Sequence, residues 1–266
     1  MTELTKLTTK IVDKPWGVRG IDPHFAADPG RQVGEIWFEA PSNRPLDVMA
    51  KYLFTSERLS IQVHPDDALA TTMGMPSGKD ECWIVLEAGQ DAELGIGTHE
   101  PVSPDRIVEA AKDGSIVDMI DWRRPKEGDF VFNPARTIHA LGPGLTLLEI
   151  QQSADVTLRL YDYGRDRPLH LEQSRSVVDA RPHHHRLDGP IDRSRSKVLV
   201  DQGHFGVAWC HGSAPALTAV RDLQILPIDA PMAIDDITLK PGECALFDGD
   251  PSSLSSSGNF VLAWSR

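Results

Sequence analysis

Short runs rich in Val, Ile, Leu and Phe recur along this chain, separated every few residues by Gly or Pro, of which there are 21 and 20. This punctuation is that of strands joined by turns, and it predicts an all-β sandwich or barrel. The runs expected as strands are 34–39, 51–54, 59–63, 81–86, 129–133, 146–151, 157–163, 206–210, 223–227, 243–248 and 260–265. One segment has a different period. Between residues 103 and 120 the apolar positions Ile107, Ala110, Ala111 and Ile116 share one helical face, and Ser103 directly before Pro104 is suited to an N-cap.

The stretch 164–197 is polar, carries many charges and contains ARPHHHRLDGP, so it reads as a linker. With the boundary set near residue 190, a larger domain spans 1–190 and a smaller one 191–266. A weak internal echo supports two related units: RPKEGDFVFNPARTIHAL (124–141) resembles LKPGECALFDGDPSSL (239–254). The second copy has no histidine, so the C-terminal domain is expected to be a β domain without metal ligands.

Strand alternation sorts the polar residues. In LSIQVHPDD, Ser60, Gln62 and His64 share one face, and Leu59, Ile61 and Val63 the other. The same parity groups Lys79, Glu81 and Trp83, then Glu149 with Gln151, then Thr157, Arg159, Tyr161, Tyr163 and Arg165. A solvated sheet face accounts for any one of these strands. Taken together they are chemically selective, offering imidazole, amide, carboxylate, ammonium and guanidinium groups. Imidazoles with carboxylate and amide oxygens, and no thiolate, suit a catalytic divalent ion such as zinc, or alternatively iron or manganese. His64, Glu81 and His139 are the three strongest ligand candidates, with Gln62 a fourth through its side-chain oxygen. His139 lies in PARTIHALGPG, between a strand and a turn. His183, His184 and His185 fall in the polar stretch and are read as surface residues.

Charge and composition narrow the partners. A formal charge of −12 opposes general affinity for nucleic acid or anionic membrane, while a few converging basic residues could still accept a small anion. No run of about 18 apolar residues exists to span a bilayer, and the N-terminus lacks a signal-type apolar core, so the expected location is cytoplasmic. The three separated cysteines Cys82, Cys210 and Cys244 are expected to be reduced core residues.

At these positions the sequence closely resembles type I mannose-6-phosphate isomerases in their short bacterial form. The match runs in order through KPWG (14–17), GEIW (34–37), LSIQVHPDD (59–67), GKDECW (78–83), TIHAL (137–141), EIQQSAD (149–155) and RLYDYGR (159–165), covering about the first 170 residues. The resemblance implies a cupin, or jelly-roll, β-sandwich with a second smaller cupin-like domain. It also implies one divalent ion, zinc first among the candidates, held by Gln62, His64, Glu81 and His139. It puts the family's active-site arginine at Arg159, pocket residues at Ser60, Lys79 and Glu149, and a phosphate-binding basic residue at Arg165. The implied partner is a small-molecule sugar phosphate. The chain has no room for the extra helical domain of the longer forms, so any pocket wall that domain supplies must come from elsewhere or be absent.

The implied reaction interconverts mannose 6-phosphate and fructose 6-phosphate through an enediol. Its difficult step is removing a carbon-bound proton, and a divalent ion offsets the developing charge as a Lewis acid. An arginine is a poor base, so Arg159 is assigned to charge stabilisation and positioning, and Glu149 or Lys79 to proton transfer. Two rival readings are a cupin oxygenase using the same ligands with redox-active iron, and a sugar-phosphate-binding cupin that does not turn over.

Overall fold

In the computed structural model, residues 3–41 and 44–266 are described. The chain forms two compact units: 1–53, 148–150 and 189–266 make the first, and 54–147 with 151–188 the second. The architecture is mainly β, built from antiparallel sheets with three α-helices among the described residues, which is the cupin-like fold expected.

The first unit holds a six-stranded sheet in the order Glu3–Lys6, Ala245–Asp248, Arg221–Pro227, Ser255–Ser265, Phe205–Ser213 and Lys197–Gln202. Alternate residues Phe260, Leu262 and Trp264, with Ala208, Cys210, Leu223 and Ile225 on neighbouring strands, fall in one core cluster, as the two-residue period demands. Trp264 leaves no room for a side chain opposite it: a Cβ on its strand partner Gly206 would lie 2.0 Å from the indole. The chain returns to this unit at Gly189, and residues 1–53 group with the C-terminal strands and not with the segment that follows them. The reason is strand pairing. Leu4 stands opposite Phe247 and packs against the same core, so the first residues add an edge strand to a sheet made from the last ones. The strand Thr8–Arg19, absent from the sequence expectations, pairs with Gln32–Glu39.

The second unit contains a five-stranded sheet, Leu158–Tyr161, Ile61–Val63, His139–Leu141, Leu94–Thr98 and Ile120–Arg123, and a pair formed by Glu81–Ala88 and Asp129–Asn133. The expected helix is Pro104–Asp113: Ser103 Oγ accepts from Arg106 N, and Gly114 ends it at φ 86°. Ile107, Ala110, Ala111 and Ile116 are all buried, in one cluster with Ile61, Val63, Leu158 and Leu160. The stretch 164–197 is not a bare linker. It includes the helix Leu171–Val177, and its few apolar residues Val177, Val178 and Ala180 complete the same core. His183, taken for a surface residue, is buried and bonds Asp188 at 2.9 Å. No helix among the described residues is long and apolar enough to cross a membrane, and the three cysteines are buried.

Candidate metal centre

The polar face of residues 60–64 forms one wall of a buried cluster in the second unit. On the strand Ile61–Val63, flanked on both sides, Gln62 stands opposite Arg159 on one neighbour and opposite His139 on the other. Directly opposed residues share a face, so Arg159, Gln62 and His139 form a row, with Ser60 and His64 two positions away along the chain. Ile61 and Val63 point the other way, into the core shared with the helix Pro104–Asp113. Amphipathic alternation therefore fixes which side of this strand is dry packing and which is chemistry.

Glu81 faces that row. Its Oε1 lies 3.2 Å from His139 Nε2 and its Oε2 3.6 Å from His64 Nε2, while the two imidazole centroids are 4.9 Å apart. One ligand atom from each of His64, Glu81 and His139 lies within 4.8 Å of the others, and all three residues are 1% exposed. Two imidazoles and a carboxylate converging out of water are a donor set for a divalent ion. The tautomer of His139 suits that purpose: Nδ1 is 2.9 Å from the Thr137 carbonyl, so a proton held there leaves the Nε2 lone pair facing the cluster. Lys79 Nζ donates to Glu81 Oε2 at 2.5 Å and lies 3.4 Å from His64 Nε2, giving the buried carboxylate a cationic partner. Gln62 is adjacent, with Nε2 3.3 Å from His139 Nε2 and Oε1 accepting from Ser60 Oγ at 3.1 Å. A half-turn of this amide is needed before its oxygen can serve as a fourth ligand.

The remaining candidates separate. Arg159 is partly buried; its Nε has no hydrogen-bond partner, and its backbone is tied on both sides to His170, N to Nδ1 at 3.1 Å and O to N at 2.8 Å. Burial first, and the charge of Arg167 second, lower its pKa below the ordinary guanidinium value, which still leaves it protonated. Arg165 is engaged by Glu57 at 2.7 Å and Asp162 at 3.2 Å. Burial pulls its pKa down, but these two carboxylates outweigh that and leave it raised. Its charge is thus already committed within the protein. Glu149 belongs to the first unit, where Lys51 Nζ sits 2.9 Å from it; Lys51 also lies 3.9 Å from Glu35, which accepts from Trp37 Nε1 and faces Lys14. The KPWG and GEIW motifs thereby contribute Lys14, Glu35 and Trp37 to a partly buried polar network with Glu149. Sequence reasoning missed Lys51 and also Asn133, whose Nδ2 donates to Glu81 Oε1 at 2.7 Å. Asn133 ends a strand read correctly, but its register against Glu81 is written nowhere in local sequence.

Comparison with known proteins decides the family. The chain is 39% identical over 217 residues to the mannose-6-phosphate isomerase of Streptococcus mutans, covering 67% of this chain and 68% of that protein. The chain belongs to the mannose-6-phosphate isomerase family. It spans 61% to 68% of the length of the curated members of that family it matches. No protein-family model matches it. In structure it resembles the mannose 6-phosphate isomerase from Bacillus subtilis, with TM-score 0.76 at 24% identity over 98% of this chain and 99% of that one. A mannose 6-phosphate isomerase solved with zinc and yttrium bound has TM-score 0.71 at 15% identity, covering 99% of each chain. Those two likenesses carry the fold of this mannose-6-phosphate isomerase family member across nearly its whole length.

Proposed function

We propose that this protein is a mannose-6-phosphate isomerase, interconverting mannose 6-phosphate and fructose 6-phosphate with one divalent ion, zinc, held by His64, Glu81, His139 and the turned amide of Gln62. The observation that carries the proposal is the dry His64–Glu81–His139 cluster with Lys79 against it and Arg159 in one row with Gln62 and His139. When bound, the ion supplies a Lewis acid for the oxygens of the first two sugar carbons.

The chain's own residues supply the rest. Lys79 Nζ is the proton-moving group held in the same unit as the ligands: as a neutral amine, its present proton given up beforehand, it would take the proton from carbon 2, and as the resulting ammonium it would return it to carbon 1. Glu149, the other carrier expected, is paired with Lys51 in the first unit and takes the lesser part in this reading. Arg159 stays charged and faces the anionic character of the enediol or of the phosphate, its Nε still available to donate. Ser60 Oγ donates to Gln62 Oε1 in the present orientation, and after the half-turn it would accept from Nε2 instead, holding the oxygen toward the ion. Arg165, bound to two carboxylates, reaches a phosphate only by exchanging them, so Arg159 is favoured for that contact.

Family membership favours neither the oxygenase nor the silent sensor reading. A coupled assay on mannose 6-phosphate, run with and without a chelator, tests the proposal: turnover that a chelator abolishes and zinc restores is expected. No turnover from zinc-loaded protein, or turnover indifferent to chelation, would overturn it.

A further inference from the structure

We infer that Asn133 is a positioning residue for Glu81, holding that carboxylate in the orientation in which it can bind a metal; the inference rests on the proposed metal site. Asn133 and Glu81 are direct strand partners, each 1% exposed, and Asn133 Nδ2 donates to Glu81 Oε1 at 2.7 Å, the same oxygen that lies 3.2 Å from His139. Lys79 takes the other oxygen. One amide and one ammonium therefore fix both ends of the carboxylate, which can neither rotate toward the backbone nor swing out of the cluster.

Two further features make this more than a chance contact. Asn133 Oδ1 is buried and has no hydrogen-bond partner, so the amide satisfies Glu81 while half of its own bonding capacity goes unmet. A residue kept only for packing would be apolar here, because burying an unmatched polar atom is unfavourable. The backbone on both sides of Asn133 is also pinned by side-chain carboxylates: Phe132 N donates to Asp188 Oδ1 at 2.9 Å, and Ala135 N to Asp80 Oδ1 at 2.7 Å. Asp188 is in turn bonded to His183. The 183–188 segment thus braces the strand end from which the amide reaches Glu81, the kind of supporting shell that sets ligand geometry and metal affinity.

The test uses two substitutions of the same shape, Asn133→Val and Asn133→Thr, which differ in whether a donor remains. Zinc affinity is measured by competition with a chromophoric chelator, the visible absorption of cobalt-loaded protein reports the ligand set, and thermal unfolding in chelator checks that each variant is folded. Asn133→Val should bind zinc about 10- to 100-fold more weakly than wild type with an altered cobalt spectrum, and Asn133→Thr should recover a clear part of both. Should the Val variant not fold, Asn133→Leu, closer to asparagine in volume, takes its place with the same expectation. Equal zinc affinity and identical cobalt spectra in wild type, Val and Thr proteins would overturn this inference alone. A wild-type protein that binds no zinc would overturn the proposed function with it.

Discussion

Replacing Glu81 with Gln keeps the shape of the side chain and removes the charge that Lys79 answers. The two side chains are 1% and 7% exposed and 2.5 Å apart. Removing one partner of a buried pair leaves the other charge in a poorly solvated site and costs about 3–5 kcal/mol. For a chain of this size that is a fall in melting temperature on the order of 10 °C. Lys79→Met should be destabilising for the mirror-image reason. The double variant is the informative one, since with both charges gone neither stands alone and most of the loss should be recovered. Thermal unfolding of all four proteins in chelator measures the cycle without interference from bound metal. A double variant whose loss equals the sum of the two single losses would refute the reasoning, because it would mean that the 2.5 Å contact carries no coupling.

Arg159→Ala should retain stoichiometric zinc and lose most turnover, whereas His64→Ala should lose zinc as well; metal analysis beside the coupled assay separates them, and undiminished turnover in both would reject the assignment. Gly206→Ala should destabilise by about 1–3 kcal/mol through overpacking against Trp264, and an unchanged urea midpoint would contradict that. His170 has its pKa lowered from 6.5, by burial first and by the Arg159 charge second. Below about pH 6.5 the unfolded chain therefore takes up this proton before the folded one, and stability declines as pH falls until folded His170 titrates too. His170→Gln should shrink the difference between urea midpoints measured at about pH 7.5 and about pH 5.5; an unchanged difference would show that His170 does not contribute.

The parts of this protein that were legible in sequence are those governed by local rules. Alternation in 59–64 named the chemical face of the strand Ile61–Val63, and the Ser103 cap with Ile107, Ala110 and Ala111 named the helix, because both periods are short and uninterrupted. The strand Leu94–Thr98 went unread because LGIGT is two-fifths glycine, and those glycines answer to neighbours far away in sequence: a Cβ on Gly95 would meet Ile120 and Trp122, and one on Gly97 the backbone at Arg181 and His183. The 164–197 stretch misled because its apolar content is only a few residues, and nothing local says that Val177, Val178 and Ala180 close a core. In the site, residue types pointed to His64, Glu81 and His139, but the engagement of Arg165 by Glu57 and the reach of Asn133 to Glu81 depend on pairing across 108 and 52 positions.

The edge strand Glu3–Lys6 closes against Ala245–Asp248, and this sets an order of assembly during synthesis. The unit holding the histidines is made of residues 54–147 and 151–188, and domains generally fold as units while the ribosome is still working. Its ligands can therefore gather while residues 189–266 are still being made. Leu4 must meanwhile wait uncovered for partners translated about 240 codons later, so slow elongation between them would tax that strand and spare the histidines.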